Sequence, residues 1–358
     1  MTEQADILFE VQDKLALVTL NRPQAMNALS TEMCLALDAR LAAWEHDPAI
    51  QAVMIQGSGS RAFCTGGDIR RLYEEGRQGR PYPFEFFRAE YRMNARIRRF
   101  PKPYVAFLDG AVMGGGVGVS AHGSHRIATE NTLFAMPETG IGLFPDIGAS
   151  YLLSRAPGES GMYLALTGAR QRAADTIYVG IANHHMPAAA RDEITAALRA
   201  ATMSADPRVA VETAIAKLAS DPGPAPLAAH RAVIDRNFCH PSVEAVLAAL
   251  DRDGDGFATE AAAIIRQKSP TSLKVTLREI AGARKIESFD DCMRIEWRLA
   301  THCMRGHDFY EGTRAQVVDK DRNPKWRPAA LSEVSEADVA AYFAPPPEGE
   351  LVFDWDAK

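Results

Sequence analysis

Apolar and polar residues alternate through "ILFEVQDKLALVTLNRP", on both sides of the polar group Gln12-Asp13-Lys14. Period-two alternation around a polar turn predicts a β-hairpin. The spacing turns helical in "STEMCLALDARLAAWEHDP", where Ser30 is placed to cap the first turn and Pro48 follows the end. "AVMIQGSG" and "PYVAFLDG" are short apolar runs that predict buried strands. "HRIATENTLFAMPE" reads as two more short strands across a turn. Strand, strand, helix thus recurs loosely, without identity between copies. That pattern predicts an α/β architecture of ββα repeats rather than a simple doubly wound sheet.

Beyond residue 190 the helical period takes over. "DEITAALRAATM", "RVAVETAIAKLA", "VEAVLAAL", "TEAAAIIRQK" and "CMRIEWRLATHCMRG" all follow it, and the Pro/Gly-rich "SDPGPAPLAAH" connects two helical groups. The expected organisation is an α/β core over residues 1–190, a helical region over 191–345 and a partly ordered tail over 346–358.

Composition narrows the function classes. The chain has 358 residues, 47% apolar and 24% charged, in the range of soluble globular proteins. Its net charge of −6 argues against nucleic acid as a partner. No apolar run reaches membrane-spanning length, so no membrane association is expected. The cysteines are Cys34, Cys64, Cys239, Cys292 and Cys303, an odd number without a CxxC pair. They predict neither a disulfide framework nor a zinc ribbon, and favour a reducing compartment. The N-terminal "MTEQADILFE" is acidic and lacks an apolar or Arg-rich targeting pattern, so the cytoplasm is expected.

The candidate chemistry is concentrated in "MPETGIGLFPDIGAS", Met136 to Ser150, which carries Glu138 and Asp146. Gly140, Gly142 and Pro145 oppose a continuous helix, so a loop must set the geometry of the two acids. With Met136, Ile141, Leu143 and Phe144 around it, Glu138 is expected in a mostly dry pocket. Asp146 has two readings. It is a second reactive acid, or the cap of a helix beginning in "PDIGASYLLSR". Capping would lower its pKa and desolvation would raise it. The glycine-rich turns "RAFCTGGDI" and "GAVMGGGVGVSAHGS" follow strands, and neither is a P-loop or a clear dinucleotide fingerprint. Either they pack tightly, or they present backbone N–H groups to a ligand oxygen. Two converging donors would form an oxyanion hole.

"NRPQAMNALS", "RAFCTGGDI", "PKPYVAFLDGAVMGGGVGVS" and "MPETGIGLFPDIGASYLLSR" resemble the crotonase, or enoyl-CoA hydratase/isomerase, superfamily. The resemblance implies a crotonase-like spiral of ββα repeats with a C-terminal helical region, and an acyl-CoA thioester as substrate. By motif position, the oxyanion donors would be Gly67 and Gly115, and the CoA site the backbone of Gly66, Gly67, Asp68 and Ile69. Hydratases of this superfamily use two glutamates. The second matches Glu138, whereas the first falls on Gly118, so the usual two-glutamate hydration is disfavoured. Asp146 supplies a different second acid. That combination resembles the 3-hydroxyisobutyryl-CoA hydrolase branch, as do "FFRAEYRMN", "KSPTSLKVTLRE" and "EWRLATHCMRGHDFYEGTRAQVVDKDRNPKW". Glu90 matches an acid lining that branch's acyl pocket. Ala89 and "DIGAS" depart from the branch and bear on the pocket's shape.

What the resemblance implies is hydrolysis of a short, branched 3-hydroxyacyl-CoA, as in valine catabolism. Glu138 would act as nucleophile or general base, Asp146 beside it, with Gly115, Glu90, Glu138 and Asp146 binding substrate. No metal and no cofactor are implied, CoA being part of the substrate. Homo-oligomer formation stays open. Two alternatives also stay open: an enoyl-CoA hydratase/isomerase with Glu138 as sole base, and a non-catalytic acyl-CoA-binding protein. Two further patterns carry less. "DRDGDGFATEAA" begins like an EF-hand but has Ala262 where calcium needs a bidentate glutamate, so a helix–helix turn is expected. "THCMRGHDF" fits no common zinc spacing, and a structural role is expected for it. His184 and His185 have no evident partner in the sequence.

Overall fold

In the computed structural model, which describes residues 5–356, the first alternating segment forms the expected hairpin. The strands are β1 (Ile7–Gln12), β2 (Leu15–Leu20), β3 (Ala52–Gly57), β4 (Ala62–Cys64), β5 (Tyr104–Leu108), β6 (Ala111–Met113), β7 (His125–Ala128), β8 (Leu133–Ala135) and β9 (His184–His185). β1 and β2 pair antiparallel with Gln12 opposite Leu15, leaving Asp13 and Lys14 as the turn. Asp13 takes φ 57°, a left-handed conformation that two-residue hairpin turns require. From β2 onward the pairing is parallel, in the order β1-β2-β3-β5-β7-β9. A smaller sheet runs β4-β6-β8. The two strands read in "HRIATENTLFAMPE" are both present, but β7 joins the large sheet and β8 the small one.

The chain divides into two compact units that interleave along the sequence. One comprises the chain up to Gly67, Arg92–Phe134 and Arg170–Ala225; the other comprises Asp68–Tyr91, Ala135–Ala169 and Pro226 onward. The organisation expected from the sequence followed chain order, with a division at residue 190. Instead, the helices Arg191–Thr202 and Pro207–Leu218 belong to the first unit. The reason is visible in the pattern of each element. Leu15 and Leu17, Ala52 and Met54, and Val105 and Phe107 are alternate strand positions facing one side. Ile194, Leu198 and Ala201, with Val211 and Ile215, are the helical stripes that cover them.

In the second unit the helices start where the sequence supplies caps. Ser242, Ser269 and Ser288 accept the N–H of Ala245, Ser272 and Asp291 at 3.2, 3.1 and 3.2 Å. The tail, expected to be partly ordered, is packed as far as Asp356 among the described residues. Leu351 and Phe353 are buried. The Trp297 indole donates to the Gly349 carbonyl at 2.8 Å, and Arg298 pairs with Glu350 at 2.8 Å. Two apolar anchors and an ion pair hold it.

In the first unit, the short helix Gly115–Gly118 lies against β4. A Cβ added at Gly116 would sit 2.1 Å from the Cys64 carbonyl oxygen. Gly116→Ala is therefore expected to cost about 1–3 kcal/mol of stability. It should lower the urea midpoint without changing the denaturant slope.

Candidate active site

Glu138 opens a single 3-10 turn, Glu138–Ile141, and its carbonyl accepts the Leu143 N–H at 3.0 Å. Gly142 follows at φ 73°, and an added Cβ there would lie 2.2 Å from the Asp308 backbone, so only glycine fits. Ile147 at φ 59° and Gly148 at φ 79° then turn the chain through two left-handed residues. For a β-branched residue that conformation is strained and needs outside support. Glu296, on the helix Phe289–Cys303, supplies it. The Gly148 N–H donates to Oε2 at 2.6 Å, while the Ser150 N–H and hydroxyl donate to Oε1 at 3.2 and 2.5 Å. The helix Ala149–Leu153 is thus capped by Glu296. Asp146, for which a capping role was one expectation, uses its side chain otherwise: it accepts the Tyr91 hydroxyl at 2.6 Å.

Five acids of this unit are withdrawn from water: Glu90, Glu138, Asp146, Glu279 and Glu296, each at most 5% exposed. Burial pushes Asp146 up to about 7, against the Tyr91 hydroxyl and its own backbone N–H, which hold it down. Glu138 is raised well above the carboxylate range by burial and then by the Asp146 charge; its own backbone N–H and Lys268 oppose this. Glu90 is raised by burial, Asp146 and Glu138, and Glu279 by burial, Glu296, Asp146 and Glu138. Glu296 is pushed to about 8 by burial despite its hydrogen bonds from Ser150 and Gly148. These acids cannot all ionise near neutral pH; they hold protons as a group.

Lys268 lies over the turn, with its Nζ 3.4 Å from where a Cβ of Gly140 would be. Its own pKa is lowered by burial and raised in part by Glu138. Among the described residues, Glu90 Oε1, Glu138 Oε2 and both oxygens of Glu279 are buried without a hydrogen-bond partner. Buried acceptors of this kind are rare in folded proteins and suit the hydroxyl or water of a bound reactant. A cleft of about 550 Å³ lined by Phe238, Lys274 and Arg278 contains none of these acids.

In the first unit, the Leu29 N–H donates to the Gly66 carbonyl at 2.8 Å, which holds the glycine turn beside Leu29. Gly66 has φ 106°, and a Cβ there would approach the Gly115 nitrogen to 3.4 Å. Gly115 is the first residue of its helix, after Gly114 at φ 47°. Neither Gly67 nor Gly115 donates its N–H in the turn, loop and cap hydrogen bonds of the described residues. These are the chain positions at which the motifs put the two oxyanion donors. The Asp68 carboxylate accepts the Arg71 N–H at 3.2 Å and caps the helix Ile69–Arg77. At Gly118 a Cβ would lie 2.8 Å from both polar atoms of the buried Asn94 amide, so a side chain here would require Asn94 to move.

Tyr91, Lys268, Glu279 and Glu296 were not singled out from the sequence. For the two glutamates a signal existed. Glu296 falls on the stripe of Phe289, Cys292, Met293, Ala300 and Cys303, and Glu279 on that of Ser272, Val275, Thr276 and Ala283, all buried. An acid on the apolar face of a helix is either paired or functional. The EF-hand-like run is the expected helix–helix turn: Asp251 accepts Arg266 at 2.7 Å and Asp253 accepts Arg236 at 2.5 Å. Asp308 accepts the Ser269 hydroxyl at 2.6 Å and the Arg327 N–H at 2.8 Å, a structural role.

With this geometry in place, comparison with known proteins defines the class. The enoyl-CoA hydratase/isomerase family pattern matches residues 15–343. The chain is 42% identical over 348 residues to the mitochondrial 3-hydroxyisobutyryl-CoA hydrolase of Gallus gallus, covering 95% of this chain and 89% of that one. It is 40% identical over 352 residues to the Homo sapiens protein of the same name, covering 97% and 91%. Among solved structures, a carnitinyl-CoA dehydratase from Mycobacterium thermoresistibile superposes with a TM-score of 0.92 at 44% identity, covering 99% of this chain and 100% of that one. An enoyl-CoA hydratase from Rhodobacter sphaeroides 2.4.1 gives 0.90 at 36% identity, with 98% and 100% covered. The chain belongs to the enoyl-CoA hydratase/isomerase family. Its α/β fold is the expected crotonase-like one, C-terminal helices included.

The expected cytoplasmic placement is corrected by the same comparison, since these hydrolases are named as mitochondrial. Free thiols fit any reducing compartment and do not discriminate among them. Among the described residues, no helix is long and apolar enough to cross a membrane.

Two outcomes follow from the electrostatics. In Tyr91→Phe, Asp146 loses the hydrogen bond that holds it down, so its carboxyl should titrate above 7 in ¹³C NMR of labelled aspartate. An unmoved titration would show that Tyr91 does not set it. The second concerns stability. Unfolded, Asp146 and Glu296 would release their protons near pH 4; folded, they keep them to about 7 and 8. Their stabilising protonation is complete below about pH 4 and is lost as pH rises through the folded values. The thermal midpoint should fall from pH 5 to pH 8, with a shallower fall in Glu296→Gln.

Proposed function

We propose that the chain hydrolyses 3-hydroxyisobutyryl-CoA, or a close short 3-hydroxyacyl-CoA, to the free acid and CoA. The observation that carries this reading is the burial of Glu138 and Asp146 together, each with a raised pKa and Glu138 with an unpartnered oxygen. The curated relatives, matched over nearly the whole chain, are named for that hydrolysis. Gly118 adds support, because glycine supplies no carboxylate where the two-glutamate hydratases carry their first.

In the reaction so read, the N–H groups of Gly67 and Gly115 bind the thioester carbonyl and strengthen as negative charge develops on its oxygen. Such a donor is worth roughly 3–4 kcal/mol in a transition state. Glu138, in its deprotonated form, attacks the carbonyl carbon to give an acyl anhydride, or takes a proton from an attacking water. The C–S bond breaks and the CoA thiolate leaves with the proton that Glu138 took from water or, on the anhydride route, with one from Asp146. On that route water then releases the acid, restores Glu138 and returns a proton to Asp146. Asp146, oriented by Tyr91, positions the water or the substrate's 3-hydroxyl. Glu90 lines the acyl pocket, and the backbone from Gly66 to Ile69 receives the CoA. The product acid fits a place in valine catabolism.

A second reading comes from the solved structures, which are named as a dehydratase and a hydratase. One assay separates the two. The purified protein is given 3-hydroxyisobutyryl-CoA, 3-hydroxypropionyl-CoA and crotonyl-CoA, while free thiol and enoyl absorbance are followed. Thiol release from the hydroxyacyl esters is expected, reduced about 10²–10⁴-fold in Glu138→Gln and about 10²-fold in Asp146→Asn. Loss of enoyl absorbance without thiol release would overturn the hydrolase reading in favour of hydration.

A further inference from the structure

His125 on β7, His184 on β9 and Glu212 on the helix Pro207–Leu218 meet within the first unit. One donor atom from each lies within 4.8 Å of the other two. His125 Nε2 is 2.8 Å from Glu212 Oε2, and the two imidazoles stack with centroids 5.8 Å apart at 17°. None of the three takes part in the proposed hydrolysis. We propose that His125, His184 and Glu212 form a binding site for a divalent transition-metal ion of the Zn²⁺ type, with its fourth position open to water.

Two imidazole nitrogens and one carboxylate oxygen form a donor set that zinc accepts, and three protein ligands leave one coordination position open. Tetrahedral bonds of about 2.0–2.1 Å would set the donor atoms about 3.3 Å apart. The His125–Glu212 pair must open by about half an ångström and the widest pair must close by more. Glu212 is well placed to adjust, since its side chain is 61% exposed. His125 is buried and already oriented, with Nδ1 2.9 Å from the Ser124 hydroxyl. That contact leaves Nε2 facing Glu212, as a supporting partner does for a metal-bound histidine.

The surrounding cations oppose a metal ion. They are largely engaged: the Arg126 guanidinium donates to the carbonyls of Gly123, Gly180 and Ile181, Lys102 to those of Trp44 and Asp47, and Arg208 to that of Pro101. Their charge still sets the affinity below that of a closed four-ligand site. A bound ion would join the two-residue strand β9 and the helix Pro207–Leu218 to β7, so its effect would be structural.

The test uses the full chain carrying Cys239→Ser, which removes the exposed thiol beside His240 as an adventitious ligand. Zn²⁺ binding is measured by equilibrium dialysis, Co²⁺ binding by its visible ligand-field spectrum, and stability by thermal unfolding with and without Zn²⁺. The expected result is one ion per chain and a higher thermal midpoint with Zn²⁺. His184→Gln and Glu212→Gln should each weaken binding at least about tenfold and abolish the rise in midpoint. Both positions are at least partly exposed, and neither should alter turnover of the CoA substrates, so failure here is separable from failure of the hydrolase reading. No binding, or binding equal in parent and variants, overturns the proposal.

Discussion

The carboxylate of Glu296 holds the segment on which the candidate chemistry depends. It takes the N–H groups of Gly148 and Ser150 and the Ser150 hydroxyl, from a point 148 positions further along the chain than Gly148. Those three bonds help to hold the turn at left-handed Ile147 and the direction of the backbone that follows Asp146. The tight approach of Gly142 to Asp308 anchors the other end of the same loop. Asp146 lies between these two points and Glu138 opens the turn just before them, each held by backbone geometry rather than by mutual contact. A site built this way can keep acids unpaired and ready to react, because the scaffold bears the cost of holding them.

Electrostatics then makes the group of acids act as one. Each of the five is driven upward first by loss of water, and for four of them neighbouring carboxylates add to the shift. Lys268 is too deeply buried itself to offset them all. Asp146 is held lower than burial alone would put it, at about 7, because the Tyr91 hydroxyl favours its charged form. A carboxyl poised near the working pH can both hold and give up a proton beside Glu138. The same arrangement ties stability to pH, so the site's reactivity and its energetic cost have one origin.

Much of the fold was legible. The hairpin, the Ser30-capped helix, the short buried strands and the C-terminal helices all follow from periodicity and capping residues, which act over a few neighbours. The partition of helices between units was not legible. Arg191–Thr202 and Pro207–Leu218 look like the other C-terminal helices in the sequence, yet they cover the large sheet. Which apolar stripe meets which sheet face depends on shape complementarity across the chain. How far the tail is ordered has the same origin: Leu351 and Phe353 are buried against partners that composition does not reveal.

For the site, the sequence by itself identified the family and singled out Glu138, Asp146, Glu90 and the two glycine turns as candidates. Those signals lie in short contiguous motifs. Tertiary structure alone decided that Glu296 caps where Asp146 could have, that Tyr91 binds Asp146, and that Glu279 lies within reach of the others' charge. It also brought His184, which had no evident partner, against His125 and within reach of Glu212. The physical reason is common to all of these. A pKa or a hydrogen bond in a low-dielectric interior is set by what lies within a few ångströms in space, and those neighbours here come from positions tens to more than a hundred residues apart.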